Sequence, residues 1–352
     1  YVTGGERDRW FVENIFEKTT VQNRPSVLLK SSAGDLQQRQ SFFPPASRTP
    51  CGKGPTTAAR MRVYQTHASK LASQACEDAF GRSGIRPDEI THLVTASCTG
   101  FSAPGFDLEL VDRLPLSPSV QRTHLGFMGC HAGLNCLRVA EAFTRADSSS
   151  RVLVCSVELC GLHYQYDGAP DQIVANALFA DGSGAAIVTA DSPTKRENTW
   201  EIAGNGSCII PDSSEMMKWQ IEDHGFTMTL SDRIPDLVKK HAGPWIRSWL
   251  AKFGITAEQV NGWAVHPGGP QILNALEVSL SLDSLALQPS RQLLREKGNM
   301  SSASVFFLLR ELQASALNLP CVAVGFGPGL TIEAVLFRSN IACTTPTDRT
   351  IT

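Results

Sequence analysis

The chain has 352 residues, 42% hydrophobic and 19% charged, with a formal net charge of −2. This is an ordinary globular mixture with apolar material for roughly two or three packed units, and it excludes disordered, collagen-like and coiled-coil chains. The near-neutral balance excludes sequence-independent nucleic-acid binding, and no apolar run approaches the roughly 18 residues of a membrane span.

The start, Tyr1-Val-Thr-Gly-Gly-Glu, has no basic and apolar signal region. It opens abruptly on a helix over about Glu6–Thr19, which suggests that the native N-terminus lies further upstream. Ser31 to Pro55 is polar and Pro-rich and reads as a long loop. Thr56 or Thr57 caps a long helix that runs through Arg82 and ends at Gly84. THLVTASC (91–98) reads as a buried strand, GFSAPGFD as a turn, and a shorter helix and strand lead to Gly129-Cys130. A helix starts there, with Leu134, Leu137, Val139 and Phe143 on its apolar side. RVLVCSVEL, GAAIVTA, WEIAGNGSCII and GFTMTLS read as strands, with PDQIVANALF a helix between the first two. Then come a helix over about Ile234–Phe253, a strand GWAVHP, helices GPQILNALEVSLSL, PSRQLLREK and Ser301–Leu312, and strands CVAVGFG and LTIEAVLF. Alternating strands and helices argue for α/β layers.

Ten cysteines include no CxxC pair, so zinc-ribbon and thioredoxin-like readings lack their signature. Several lie in apolar strands, which fits buried free thiols and a reducing cytoplasm.

The sequence repeats itself. Gly84-Ile-Arg-Pro-Asp-Glu-Ile-Thr-His-Leu-Val94 matches Gly254-Ile-Thr-Ala-Glu-Gln-Val-Asn-Gly-Trp-Ala264. The interval from Gly84 to Cys130 equals that from Gly254 to Asn299 to within one residue. Each of these later points opens a helix, and each helix is followed by two apolar strands. The chain therefore reads as two similar halves, 1–199 and 200–352, whose helix starts face one central site if a pseudo-two-fold relates them.

Cys130 follows a glycine and precedes a helix, where the dipole lowers a thiol pKa and supplies thiolate. Alone, it would read as a buried small hydrophobe. His266 ends a strand and enters Pro-Gly-Gly-Pro, where an imidazole can pair with a thiolate and donate to an oxyanion. Alone, it would read as a satisfied core histidine. Asn299, in Gly298-Asn-Met-Ser-Ser, would read as a helix cap but for its place as the counterpart of Cys130. The 325–330 loop, GFGPGL, is no GxGxxG followed by a helix, so a nucleotide site is a poor reading; it can bring backbone close to the reacting centre.

GFMGCHAG around Cys130, GWAVHPGGPQIL around His266, GNMSSAS around Asn299 and GFGPGLTIE at 325–333 stand in an order and spacing that resemble the type III polyketide synthases. The resemblance spans Thr91 to Phe337. It implies the thiolase fold, an α/β architecture with duplicated βαβαβαββ halves in five αβαβα layers, as a homodimer. It implies that Cys130 takes an acyl starter from coenzyme A, and that His266 and Asn299 hold the malonyl-CoA carbonyl and stabilise the enolate left by decarboxylation. No metal or redox cofactor is implied, since coenzyme A thioesters are the substrates.

Phe179 falls on one family gatekeeper phenylalanine, and Met228 on the second, a departure from the plant pattern. Trp219 replaces a cavity-wall glycine, Ala103 replaces a methionine that reaches across the dimer, and His163, Cys160 and Thr99 fall on cavity-shaping positions. Ser301, Gly268, Gly269 and Gln271, inside the matching strings, are expected to bind substrate. Lys18 and Arg24 lie in the segment expected to meet the coenzyme A phosphates, where Gln22 replaces a lysine. The strings GFSAPGFD, ELCGLHYQ and DHGFTMTLS resemble bacterial members, some of which convert fatty acyl starters to alkylpyrones or alkylresorcinols. By the resemblance, the family's first strand is expected upstream of Tyr1. The readings kept beside this one are a single-step ketoacyl synthase using acyl carrier protein, a Cys-His-Asn hydrolase, and a silent coenzyme A-binding homologue.

Overall fold

The computed structural model describes residues 6–31, 33–45, 48, 52–190, 199–315 and 318–339. Cys51, Cys343 and residues 1–5 lie outside them. Three helices come first: α1 (Glu6–Lys18), a short α2 (Leu36–Arg39) within the expected loop, and α3 (Thr57–Ser83). Thr56 is the cap of α3, its hydroxyl accepting from Ala59 N at 3.3 Å, and Gly84 closes the helix at φ 62°. That turn is left-handed, a conformation glycine adopts without penalty.

The first sheet uses β1 (His92–Ser97), β2 (Gln121–Gly126), β3 (Arg151–Leu159) and β4 (Asp181–Thr189) in the order β2-β1-β3-β4. β1 runs parallel to β2 and β3, and β4 is antiparallel to β3. Helices α4 (Phe106–Arg113), α5 (Ala132–Ala146) and α6 (Pro170–Leu178) connect them. In the second half, β5 (Trp200–Ile209) is followed by a hairpin of β6 (Met217–Glu222) and β7 (Gly225–Leu230), then α7 (Ile234–Ala251), β8 (Gly262–Val265), α8 (Pro270–Leu280), α9 (Gln288–Lys297), α10 (Ser304–Ala314), β9 (Cys321–Gly327) and β10 (Thr331–Ser339). The second sheet has the order β5-β10-β9-β8.

α5 and α10 lie between the two sheets in one apolar core with Val94, Val154, Ala323 and Val335. α3 and α4 cover the outer face of the first sheet, and α7 and α8 that of the second. Both sheets are thus covered on both faces. This explains why β1, β8 and β9 are buried along their whole length and read as continuous apolar runs rather than alternating ones. The result is the layered thiolase-like fold.

The repeat aligns β1 with β8, α5 with α10, β3 with β9 and β4 with β10. The two middle helices begin almost in contact: a Cβ on Gly133 would lie 2.5 Å from Ser302 O. Only glycine allows that approach, and it brings both helix starts to one point. The halves differ at their edges. Among the described residues no second-half strand answers β2, and no first-half strand lies beside β4 as β5 lies beside β10. β6 was not expected either, because its Lys, Gln and Glu give no apolar alternation.

Candidate active site

The singled-out residues gather at the carboxyl ends of the parallel strands, where α/β folds place their chemistry. Thr99 follows β1, Gly129-Cys130 follows β2, Cys160 and His163 sit on a 3-10 turn after β3, and His266 follows β8. Asn299 and Ser301 lie between α9 and α10, and the 325–330 loop joins β9 to β10.

Cys130 and Ser301, at the starts of the two middle helices, meet directly: Ser301 Oγ donates to Cys130 Sγ at 3.6 Å. Asn299 Oδ1 accepts from Ser301 N at 2.8 Å. The Asn299 backbone pairs with the Leu178–Ala180 segment, its N–H donating to Leu178 O at 2.8 Å and its carbonyl accepting from Ala180 N at 2.9 Å. This fixes Phe179 beside it. Leu178 also packs against Gly269, so one residue ties the HPGGP and GNMSS strings together. Gly129 has φ 79°, and a Cβ there would lie 2.2 Å from Pro328 Cδ. The GFGPGL loop therefore packs the ring of Pro328 against the turn that carries Cys130.

His266 is buried at 2% exposure, and its backbone N–H donates to Val324 O at 2.8 Å. Neither ring nitrogen has a hydrogen-bond partner among the described residues. Leaving them so costs about 1–3 kcal/mol per group, so the site is built for something that supplies the partner. Burial, and then the neighbouring His131, push its pKa down to about 3, so the imidazole is neutral. His131 itself is held by Asn135 Oδ1 at 2.7 Å from Nδ1.

The expectation of a resting thiolate is reversed. Desolvation in the cavity pushes the Cys130 thiol up to about 12, and the buried Glu158 carboxyl adds to the rise. Hydrogen bonds from Ser301 and Asn299 pull the other way without winning. Alkylation of free enzyme by iodoacetamide should therefore speed up about tenfold per pH unit from pH 6 to 10. A plateau below pH 7 would instead reveal a resting thiolate–imidazolium pair.

Cys130 opens onto a cavity enclosing about 770 Å³ of space, mouth included. Thr99, Cys160, His163, Phe179, Trp219, Met228 and Ser301 line it, so most of the expected cavity residues converge. His163 is locked neutral: Nε2 donates to Thr99 O at 2.7 Å, Nδ1 accepts from Phe226 N at 3.0 Å, and burial pushes its pKa down to about 3. Trp219 Nε1 donates to Cys98 O at 2.7 Å, and its ring stands edge-on to His163 at 5.3 Å. The remaining expectations fall outside the lining. Gly268 N turns back onto His266 O at 2.9 Å, Gly269 precedes α8, and Gln271 is exposed on its first turn. Lys18 is exposed at the end of α1. Arg24 Nη1 donates to Asn176 O at 3.1 Å and Ala177 O at 2.8 Å, closing α6, while its guanidinium lies over the Phe16 ring.

Several residues that shape the site were not read from the sequence. Glu158 is fully buried, accepts from Cys98 N and Thr99 Oγ1 at 2.9 Å each, and also from Ser302 Oγ. Its signal was available, a lone carboxylate inside the apolar run VCSVEL. Arg60 is buried, and its guanidinium donates to Pro55 O, Leu162 O and Tyr164 O, fastening the turn that holds Cys160 and His163. Cys98 adds another thiol to the lining, its Sγ accepting from Gly129 N at 3.0 Å.

The family models named chalcone and stilbene synthases, N-terminal domain and C-terminal domain, match residues 13–192 and 201–341. The chain belongs to this family, the type III polyketide synthases. Polyketide synthase 37 of Dictyostelium discoideum is 28% identical over an alignment of 341 positions that covers 93% of this chain. The chain spans 11% of the length of that relative. Among solved structures, the C-terminal type III domain of Steely1, a type I/III hybrid from Dictyostelium, superposes with a TM-score of 0.87 at 27% identity, covering 96% of this chain and 91% of that one. PKS-I of the brown alga Ectocarpus siliculosus gives 0.86 at 28%, covering 95% and 90%. The thiolase-like fold described above is the one these type III synthases share.

Proposed function

We propose that the chain is a polyketide-forming acyltransferase that condenses coenzyme A thioesters with loss of carbon dioxide. Cys130 is its nucleophile. As the starter thioester binds, a ring nitrogen of neutral His266 takes the Cys130 proton, the sulfur attacks the carbonyl, and coenzyme A leaves as its thiol. Malonyl-CoA then places its thioester oxygen between His266 and Asn299, whose N–H groups stabilise the enolate formed as carbon dioxide departs. The enolate carbon attacks the Cys130 thioester, releasing the sulfur and lengthening the chain by two carbons. The observation that carries this reading is the Cys130–Ser301–Asn299 chain of contacts where the two middle helices start, together with the imidazole of His266 after β8, which is buried and without a hydrogen-bond partner among the described residues. Incubation with acyl-CoA alone, followed by peptide mapping, should find the acyl group on Cys130. An adduct elsewhere, or none, would overturn the assignment.

The apolar lining favours a fatty acyl starter and an alkylpyrone or alkylresorcinol product. Phe179 and Met228 stand at the gate, and Trp219, His163, Cys160 and Thr99 set the cavity shape. Trp219→Gly should lengthen the product by at least one two-carbon unit, read by mass spectrometry. Each methylene accommodated changes discrimination by about 1–3 kcal/mol. An unchanged product distribution would remove Trp219 from the specificity wall. The halves 1–199 and 200–352 carry Cys130 and the His266–Asn299 pair respectively. A homodimer is supported by the edge strand β2, exposed along most of its length, and by Phe101, 52% exposed beside Phe127 and Met128. A cytoplasmic setting is supported by the free cysteines of the described residues.

A further inference from the structure

His131 follows the nucleophile, is 3% exposed, and takes no part in the steps above. Ala264, Ala323 and Val335, on β8, β9 and β10, share the face of the second sheet that packs on α5 and α10. Side chains alternate along a strand, so His266, Gly325 and Glu333 share that face too. They form a row across it. Glu333 pairs with Gly325, and His266 continues the β8–β9 register beside Gly325, its N–H donating to Val324 O at 2.8 Å. The middle of the row has no side chain, and the His131 ring fills the gap. A Cβ on Gly325 would lie 3.0 Å from His131 Cβ, and one on Gly327 would lie 2.3 Å from its Cδ2. Asn135 Oδ1 can only accept, so the Nδ1 it meets carries the hydrogen, and Nε2 is the place for a second proton. Glu333, 5% exposed, is pinned by Arg138 Nη1 and Ser207 Oγ at 2.8 Å each. Burial pushes the His131 pKa below the ordinary histidine value, while the Asn135 bond and then Glu333 pull it back up and Arg138 opposes them.

We propose that His131 is a positioning residue for His266: backed by Glu333, it returns to the His266 imidazole the proton that each chain extension consumes. This rests on the condensation step of the polyketide reading. Loading is proton-neutral, since the Cys130 hydrogen leaves on the coenzyme A thiol. Extension is not. The malonyl carboxylate departs as neutral carbon dioxide, the enolate carbon bonds to the acyl carbon as the bond to Cys130 sulfur breaks, and that sulfur is left as thiolate. The thiolate recovers the extended chain from coenzyme A, whose own sulfur leaves as thiolate and needs one proton from water. A bare thiolate is costly in an apolar cavity, as the raised Cys130 thiol illustrates. His131 takes up the proton at Nε2, the Glu333 carboxylate stabilises the imidazolium, and the proton passes to His266 and from it to sulfur. Neither His266 nitrogen meets a partner among the described residues, so the transfer between the rings runs through a bridging water. The charged or titratable groups that face His131 are Cys130 and Arg138 from its own segment, His266 after β8 and Glu333 on β10, while β9 presents glycines.

The test compares extension with loading on the full chain, by rapid quench. His131→Gln should lower the ratio of the extension rate with malonyl-CoA to the rate of Cys130 acylation by acyl-CoA by about tenfold or more, the scale of a lost proton-transfer group. The solvent deuterium isotope effect on extension should grow, because the slowed step is a proton transfer. Glu333→Gln, which keeps an acceptor for Arg138, should move both readouts the same way by less, and it carries the test if the first variant does not fold. A ratio that stays at the wild-type value would overturn the proposal, since no proton is then supplied from here. A fall in the ratio with no growth in the isotope effect would overturn it too, leaving His131 a packing role. The polyketide reading fails separately. Wild-type protein that stops after one extension sinks that reading and leaves this proposal to the same ratio, because a single condensation also consumes one proton. Wild-type protein that loads and never extends sinks both.

Discussion

Cys130→Ala should abolish chain extension, lowering product formation by roughly a thousandfold or more, since the step that holds the growing acyl group is lost. Decarboxylation of malonyl-CoA should survive in this variant, because His266 and Asn299 still meet the thioester carbonyl. His266→Ala and Asn299→Ala should each lower decarboxylation by roughly a hundredfold to a thousandfold, the usual cost of one oxyanion donor. Carbon dioxide release and product formation, measured on the same samples, separate the roles. If Cys130→Ala left product formation unchanged, the covalent mechanism would be wrong.

Glu158→Ala should destabilise the protein by about 3–5 kcal/mol, the cost of breaking a buried polar cluster by removing one partner. It strands the Cys98 N–H and takes one partner each from the Thr99 and Ser302 hydroxyls, which keep Leu159 N and Ser156 Oγ; all are fully or nearly fully buried. Denaturant unfolding measures this directly. Glu158→Gln should fold, because the two hydroxyls can turn to meet an amide. That variant also isolates the electrostatic effect. The Glu158 carboxyl raises the Cys130 thiol, so removing its charge should lower that pKa and speed alkylation at pH 8. Slower alkylation in Glu158→Gln would contradict that direction.

Much of the fold and site was legible because it rests on local chemistry. Glycine turns before helices, apolar runs buried in doubly covered sheets, and the echo of Gly84–Val94 in Gly254–Ala264 are all written in short stretches of chain. The motif strings around Cys130, His266 and Asn299 marked the centre, and the cavity residues Thr99, Cys160, His163, Phe179, Trp219 and Met228 fell around it. What escaped depends on partners distant in sequence. The polar strand β6 is defined by pairing with β7 rather than by its own pattern. The pKa of Cys130 depends on burial beneath a wall made by segments far apart in sequence, which outweighs the helix start visible in sequence. Arg24 looks like a free cation until α6 ends beside it.

The most direct test of the central claim is to give the purified protein labelled malonyl-CoA with a panel of acyl-CoA starters, short to long, and to identify the products by mass spectrometry. Pyrones or resorcinols carrying the starter plus several two-carbon units are the expected result. A single β-ketoacyl product, or product only when acyl carrier protein is supplied, would contradict it and make the chain a one-step ketoacyl synthase.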